Sequence, residues 1–178
     1  MIGFKVPKGV FHTRVEDASV SDGSKRFEWK QITTDDCFSG KKVVLFALPG
    51  AFTPTCSNYQ LPGFEKIYDE LRDEGIDEVY CLAVNDSFVM NAWGKSLGIK
   101  KVKLLADGSN EFTRKMGMLV SKDNVGFGLR SWRYAAIVDD GIIQQWFSEE
   151  GLSDNCSTDS YGTSSPENVL KNIRTSKK

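Results

Sequence analysis

The chain has 178 residues, 40% of them hydrophobic, with 23 basic and 24 acidic side chains and a formal net charge of −1. This length predicts one domain over residues 1–178, with enough apolar residues for a buried core. The near-neutral charge argues against nucleic-acid binding, and no apolar run approaches the roughly 20 residues of a membrane helix. The first ten residues do not resemble a signal peptide, so we expect a cytoplasmic protein with reduced thiols.

The first part of the chain predicts an N-terminal hairpin followed by a central strand. Val10–Val15 and Phe27–Lys30 have strand character and are separated by a segment rich in Ser, Asp and Gly. Residues 31–42 form a polar connection. Val43–Leu48 is apolar on both faces, which is typical of a strand covered on both sides by helices.

The middle of the chain alternates helices with strands. Leu61, Phe64 and Leu71 have helical spacing, and Pro62 within this segment predicts a kink because it has no amide hydrogen. The other predicted elements are strands over Glu78–Val84 and Val102–Ala106, a helix from the Asn85-Asp86-Ser87 cap to Leu97, and a short helix over Glu111–Met116.

The last part predicts a hairpin and a closing helix. Residues 121–131 form a polar loop, and Tyr134–Val138 pairs with Ile142–Phe147 across an Asp-Gly turn. A polar stretch over 148–165 then leads into a helix that begins at Pro166. Strands that alternate with helices and end in a hairpin predict an α/β fold with a mixed central sheet flanked by helices.

Cys56 is the first candidate for chemistry. It ends the run from Pro49 to Cys56, which follows the central strand and predicts a turn and a helix start, with Thr53 as the N-cap and Pro54 in the first turn. Unpaired amides and the helix dipole stabilise a thiolate there, and the carboxyl end of a strand is where open α/β sheets bind ligands. An inert buried cysteine is the alternative on these residues alone.

The other cysteines and the single histidine exclude several functions. Cys37, Cys81 and Cys156 form no Cys-x-x-Cys pair with each other or with Cys56, which argues against structural zinc and against a thioredoxin-type disulfide reductase. His12 lies in a predicted strand far from Cys56, so a cysteine hydrolase is not favoured. We expect Cys81 to pack within a strand, and we assign no role to Cys37, which lies in a predicted loop.

The spacing Pro-x-x-x-Thr-x-x-Cys at Pro49, Thr53 and Cys56 resembles the signature of the peroxiredoxins. The longer run from Pro49 to Phe64 is similar to the subgroup that contains plant type II and mammalian fifth-isoform enzymes. Further blocks that resemble this subgroup are Val84–Val89, Ala92-Trp93, Leu105–Gly108, Glu111–Thr113 and Arg130–Tyr134. The resemblance implies a thioredoxin-like fold with an N-terminal hairpin extension.

The resemblance assigns roles to individual residues. Cys56 matches the peroxidatic cysteine, which attacks a peroxide oxygen and becomes a sulfenic acid. Thr53 matches the threonine whose hydroxyl contacts peroxide and sulfur, and Arg133 matches the active-site arginine. Pro49 and Gly50, with Thr53 and Arg133, are the expected substrate-binding residues. A guanidinium and helix amides can stabilise the departing oxygen without an imidazole.

Some assignments stay open. Arg130 competes with Arg133 for the arginine role, although it fits the preceding loop better. Cys156 lies in a polar loop and matches a resolving cysteine found in some relatives, the alternative being an unused surface thiol. Gln60 stands where many relatives have histidine, and Trp132 stands where smaller or polar residues are commoner, with a possible effect on the pocket mouth.

The sequence therefore predicts a thiol peroxidase that reduces hydrogen peroxide and small alkyl hydroperoxides. Thioredoxin, glutaredoxin or glutathione is the expected reductant, and no metal, haem or flavin is implied. A homodimer is possible because family members often dimerise, with Phe88 or Trp93 either at an interface or buried. The alternative is a redox-sensing or chaperone-like binding protein on the same scaffold.

Overall fold

The computed structural model describes residues 1–16, 21–22 and 26–177. Its central sheet has five strands, in the spatial order β5 (Lys103–Ala106), β4 (Glu78–Ala83), β3 (Lys42–Ala47), β8 (Tyr134–Asp139) and β9 (Ile142–Ser148). Strands β3, β4 and β5 run parallel, whereas β8 and β9 are antiparallel to their neighbours. This arrangement confirms the predicted mixed sheet and its C-terminal hairpin.

Six α-helices accompany the sheet in the part of the chain that is described. They are α1 (Thr34–Phe38), α2 (Leu61–Lys66), α3 (Tyr68–Asp73), α4 (Ser87–Ser96), α5 (Glu111–Lys115) and α6 (Pro166–Thr175). The predicted caps of the longer helices are present, because Asp86 accepts the amide of Val89 and Ser165 accepts that of Asn168. Among these helices, none has the length and apolar character required to cross a bilayer.

The N-terminal hairpin is confirmed and is longer than predicted. Strand β1 (Val10–Glu16) pairs antiparallel with β2 (Phe27–Thr33), while the predicted turn falls partly on residues 17–20 and 23–25, outside the described residues. The polar connection expected over 31–42 is wrong, since β2 continues into it and α1 follows. A capping box explains the helix, because Thr33 and Asp36 each accept the other's backbone amide.

A second small hairpin replaces the loop predicted over residues 121–131. Strand β6 (Leu119–Ser121) pairs antiparallel with β7 (Leu129–Ser131), and a 3₁₀ turn over Asp123–Val125 lies between them. Each strand has only three residues, too few for the alternation of apolar and polar side chains to be visible in the sequence. This hairpin places Lys122 and Arg130 beside the end of β3.

The helix after β3 departs from α geometry before its proline. Residues Cys56–Gln60 form a π-helical turn in which the Leu61 amide donates to the Cys56 carbonyl, five residues back. Pro62 has no amide for the Asn58 carbonyl, and its ring crowds that carbonyl, so a wider turn relieves the clash. The predicted kink at Pro62 is therefore realised as a π turn ahead of it.

Two apolar cores cover the two faces of the sheet. Val44 and Phe46 of β3 face the core that also contains Cys56, whereas Val43 and Leu45 face the opposite core, as the period of two in a strand requires. The predicted apolar face of the helix after β3 is confirmed as buried in the first core, through Leu61, Phe64 and Leu71. Trp93 of α4 is fully buried there, while Phe88 remains 54% exposed.

Candidate functional site

Cys56 lies in the first core, in the helical segment that follows the turn after β3. The helix begins after Thr53, whose carbonyl accepts the Ser57 amide at 3.0 Å. The Cys56 side chain is 0% exposed, and its sulfur accepts a hydrogen bond from Arg133 Nη1 at 3.5 Å. Within the described residues no backbone amide donates to the sulfur, in contrast to the expected cradle of amides. Pro54 has no amide hydrogen and the Ser57 amide is already paired, so few amides in this turn are free.

Thr53 closes the turn that precedes the helix. Its hydroxyl donates to the Gly50 carbonyl at 2.7 Å, and its backbone amide makes a longer bond of 3.4 Å to the same oxygen. Phe52, within this turn, has a left-handed φ of 64° and is 57% exposed. The hydroxyl hydrogen of Thr53 is thus committed to the backbone, and Oγ1 keeps lone pairs that can accept a hydrogen bond.

Arg130 supports the turn from outside rather than contacting the sulfur. Its Nη1 donates to the Pro49 carbonyl at 3.2 Å and its Nε to the Phe127 carbonyl at 3.1 Å. Burial lowers the pKa of Arg130, and a negative charge on Cys56 opposes that shift. A Cβ on Gly50 would overlap Arg130 Nη1, so a larger residue at this position would have to displace the guanidinium from the Pro49 carbonyl. Both Pro49 and Gly50 are buried.

Arg133 is the arginine that the fold brings to Cys56. It is 2% exposed, and its Nη1 also donates to Gln60 Oε1 at 2.6 Å while Nη2 donates to Asp159 Oδ1 at 2.6 Å. The Tyr161 ring lies 5.7 Å from the guanidinium carbon. Burial alone would lower the pKa of Arg133, but negative charge on Cys56 and Asp159 raises it. Its Nε is buried without a hydrogen-bond partner among the described residues.

The register of the sheet explains why two residues 77 positions apart meet. Strands β3 and β8 are antiparallel and pair Ala47 with Tyr134, so the carboxyl end of β3 lies beside the start of β8. Arg133 immediately precedes β8 and therefore faces the turn that follows β3. Arg130 belongs to β7, and its guanidinium reaches the Pro49 carbonyl in this turn instead of the sulfur.

Gln60 links Arg133 to the loop that precedes α6. It is 0% exposed, and its amide nitrogen donates to Ser164 Oγ at 3.2 Å. Ser164 donates in turn to Glu149, through its amide and its hydroxyl, at 2.8 Å each. The sequence marked Gln60 as a departure from many relatives without a physical reason, and its contacts supply one: it is a neutral acceptor for the guanidinium.

Asp159 and Tyr161 complete the surroundings of Arg133, and sequence reasoning missed both. Partial burial by itself would raise the pKa of Asp159, but hydrogen bonds from Arg133 and Thr55 lower it. Tyr161 stacks against Tyr59 of the π turn, with ring centroids 6.3 Å apart. A lone carboxylate in a polar loop gives no periodic signal in the sequence, so only the fold identifies it.

Cys156 lies three residues before Asp159 and is partly exposed. Its sulfur is 3.4 Å from Thr158 Oγ1, and hydrogen bonds from the Thr158 side chain and backbone lower the pKa of the thiol. Asp154 and Asn155 fix this loop, because they pair with the backbone amide and carbonyl of Ser121 at 2.7 and 2.8 Å. Cys56 and Cys156 are both free thiols here.

The remaining cysteines are buried on opposite faces of the sheet. Cys81 lies in the core that holds Cys56, and its pKa is raised by burial and then by negative charge on Cys56. Its predicted role as a packing residue agrees with an exposure of 0%. Cys37 was expected in a loop, but it lies within α1, in the opposite core, where burial raises its pKa to about 11.

Trp132 and His12 have structural surroundings that the sequence did not resolve. Trp132 is 3% exposed, donates to the Glu149 carbonyl at 2.9 Å, and has the Lys122 ammonium 5.8 Å from its ring. It forms a wall of a narrow crevice that also borders Arg133. His12 is exposed on β1 and borders a different cavity, with Trp29, so it does not act as a base for the cysteine. No group of three or more potential metal ligands occurs in the described part of the chain.

Comparisons with known proteins agree with this geometry. The Redoxin family model matches residues 18–161. The chain is 63% identical to a peroxiredoxin of Rhizobium etli, over 96% of this chain and 94% of the relative, and 52% identical to the peroxiredoxin sll1621 of Synechocystis, over 96% and 89%.

Solved structures of three peroxiredoxins have a fold similar to that of this chain. The Plasmodium falciparum antioxidant protein, named a 1-Cys peroxiredoxin, has a TM-score of 0.89 and 37% identity, covering 97% of this chain and 99% of that one. Reduced Prx3 from Vibrio vulnificus in complex with hydrogen peroxide has a TM-score of 0.83 and 33% identity, covering 99% and 98%. Peroxiredoxin 5 from Alvinella pompejana has a TM-score of 0.76 and 30% identity, covering 98% of each chain.

Proposed function

This chain belongs to the peroxiredoxin family of thiol-dependent peroxidases, and from that premise we propose that Cys56 is its peroxidatic cysteine. The observation that carries the proposal is the 3.5 Å contact between Cys56 Sγ and the buried guanidinium of Arg133. A buried cation beside a sulfur stabilises the thiolate, which is the nucleophilic form. The alternative of a redox-sensing or chaperone-like binding protein is not favoured by relatives named peroxiredoxins at up to 63% identity.

The proposed first step transfers one oxygen to the sulfur. The Cys56 thiolate attacks the nearer peroxide oxygen, an S–O bond forms, the O–O bond breaks, and the departing oxygen leaves as hydroxide or alkoxide that takes up a proton. Arg133 offers the unpaired Nε–H and the second Nη2–H to the charge that develops on these oxygens. Thr53 acts as an acceptor for a peroxide O–H, since its own hydrogen is donated to Gly50.

We propose hydrogen peroxide and small alkyl hydroperoxides as the substrates. Cys56 is fully buried beside the guanidinium of Arg133, which favours small peroxides over bulky ones. The Vibrio relative was solved in complex with hydrogen peroxide, which supports the same substrate here. Pro49 and Gly50 form the wall of the site next to Thr53.

We further propose that Cys156 resolves the sulfenic acid. Its thiol condenses with Cys56–SOH to a disulfide and releases water, after which thioredoxin, glutaredoxin or glutathione reduces the disulfide. The lowered pKa of Cys156 and its position three residues from Asp159 support this role. The Plasmodium relative is named a 1-Cys enzyme, so reduction by an external thiol is the competing cycle. A homodimer and a cytoplasmic location are also proposed.

The core proposal predicts a graded loss of peroxide reduction in single-turnover measurements. Cys56→Ser should not react with hydrogen peroxide. Arg133→Ala should lower the second-order rate constant by about 10²- to 10³-fold, the usual cost of losing a donor to a developing oxyanion. Arg133→Lys keeps the charge but loses the fork of donors, so its rate should fall between wild type and Arg133→Ala.

Arg174→Ala is the matched control, because it removes an exposed arginine whose ion-pair partners within the described ranges are Glu70 and Glu74. It should react at the wild-type rate, and circular dichroism should verify that every variant is folded. A folded Cys56→Ser variant with wild-type peroxide turnover would refute the assignment of the nucleophile. An unchanged rate in Arg133→Ala would remove the arginine from the mechanism.

A further inference from the structure

The segment of residues 158–161, here called the strap, lies against the π turn and Arg133. Asp159 accepts a hydrogen bond from Arg133 at 2.6 Å, and the Thr55 hydroxyl contributes to lowering the pKa of its carboxyl. Tyr161 places its ring against the guanidinium and stacks on Tyr59. The strap therefore contacts the residue just before Cys56 in the chain and a residue one turn after it.

Building on the proposed function of Cys56, we propose that Asp159 is a positioning residue that holds Arg133 in its reactive orientation. The contact between Arg133 and the sulfur, at 3.5 Å, is a single hydrogen bond through Nη1 and does not by itself fix the orientation of the guanidinium plane. Two hydrogen bonds of 2.6 Å, from Nη1 to Gln60 and from Nη2 to Asp159, hold both terminal nitrogens of the planar guanidinium. Because the group is rigid, the directions of its remaining N–H bonds toward a peroxide are then also fixed.

Asp159 also supplies the charge that a buried arginine needs throughout the reaction cycle. The side chain of Arg133 is 3% exposed, whereas that of Asp159 is 49% exposed, so the carboxylate stays solvated while it pairs with the buried cation. The sulfur is negative before oxygen transfer and neutral as the sulfenic acid. Among the described residues, Asp159 is then the acidic side chain within 4.0 Å of the guanidinium, and it keeps Arg133 in place after the thiolate is consumed.

The test compares two reactions of the same sulfur. Peroxide reduction needs an oriented guanidinium, whereas alkylation of Cys56 by iodoacetamide needs an accessible thiolate but no aligned peroxide. Asp159→Asn keeps the shape of the side chain and removes its charge. It should lower the rate of reaction with hydrogen peroxide by about tenfold, the scale of one charge-assisted hydrogen bond, without lowering the alkylation rate. Asp159→Glu should recover part of the loss.

Asp154→Asn is the matched control, since Asp154 is a carboxylate of the same loop that accepts the Ser121 amide and does not contact Arg133. It should leave the ratio of the two rates unchanged. In an Arg133→Ala background, Asp159→Asn should add less than a twofold further loss, because the two residues act as one unit.

Two results would overturn the role of Asp159. One is a peroxide rate in Asp159→Asn within twofold of wild type, and the other is a parallel fall of the peroxide and alkylation rates, as general loosening of the strap would produce. Either result leaves the nucleophile assignment intact as long as wild type reduces peroxide and Cys56→Ser does not. If both Asp159→Asn and Cys56→Ser react with hydrogen peroxide at the wild-type rate, the proposed function itself is refuted.

Discussion

Each residue that contacts Arg133 keeps a different part of the guanidinium in place. Gln60 is the unusual partner, because a neutral amide occupies a fully buried position between a cation and Ser164. An amide has no protonation state to change between pH 5 and 8, so this contact does not vary with pH. An imidazole at the same position would be titratable, and its protonated form would repel the guanidinium.

Gln60→His should therefore make peroxide reduction sensitive to pH. The neutral imidazole can accept from Arg133, so the variant should approach the wild-type rate at pH 8. Burial and the positive charge of Arg133 both favour the neutral form, so the loss should develop below the ordinary histidine pKa of about 6.5. The measurement is the ratio of variant to wild-type rate from pH 5 to 8. Gln60→Leu should show a low ratio that does not change with pH, and a flat ratio in Gln60→His would contradict the argument.

At the scale of elements, the site is built from a π turn and a loop held by one buried carboxylate. Glu149 follows β9, is 6% exposed, and accepts the amides of Gly162, Thr163 and Ser164 at 2.8 to 3.3 Å. These bonds close the loop from residue 150 to 161 at its base. The strap and the segment with Cys156 are thus fixed by an anchor that lies outside the site.

Glu149→Gln should destabilise the fold by about 1–3 kcal/mol at pH 7, since an amide cannot accept all of these donors. Burial by itself would raise the pKa of Glu149, but the hydrogen bonds from Ser164, Gly162 and Thr163 lower it in the folded state. The contribution of its charge is therefore complete above about pH 4.3, the ordinary pKa of glutamate in an unfolded chain, and is lost as pH falls further.

Urea unfolding of wild type and Glu149→Gln at pH 7 and at about pH 3.5 would measure this contribution. The stability difference between the two proteins should shrink at the lower pH. Glu150→Gln changes an exposed neighbour and should leave the stability unchanged at both values. A difference that is the same at both pH values would mean that the charge of Glu149 contributes nothing.

At the scale of the whole molecule, the two cysteines of the proposed cycle are held by different elements. Cys56 is buried in the π turn, and Cys156 lies in a loop that is fixed to β6 through Ser121. A disulfide requires Cα atoms about 4.4–6.8 Å apart. Asp154 and Asn155, directly before Cys156, are bonded to the backbone of Ser121. Movement of Cys156 toward Cys56 is therefore expected to break these two bonds.

One equivalent of peroxide, without reductant, should produce a Cys56–Cys156 disulfide that non-reducing peptide mapping detects. Hydrogen exchange should increase over residues 119–125 and 150–161 in the oxidised protein, because the bonds to Ser121 are released. Cys156→Ser should show neither change, whereas Cys81→Ser should still form the disulfide. Cys56 found instead as a glutathione adduct or an over-oxidised acid would support a single-cysteine cycle.

The sequence by itself determined the strand, turn and helix around Cys56, the mixed sheet, the N-terminal hairpin and the family. These features depend on local periodicity, helix caps and an eight-residue motif, all of which are patterns among residues that lie close together in the sequence. Only the tertiary structure decided that Arg133 rather than Arg130 reaches the sulfur, and that Gln60 and Asp159 hold it. Those contacts join residues 26 to 77 positions apart, and they depend on the pairing of β3 with β8 and on a loop closed by a buried carboxylate, neither of which has a local signature.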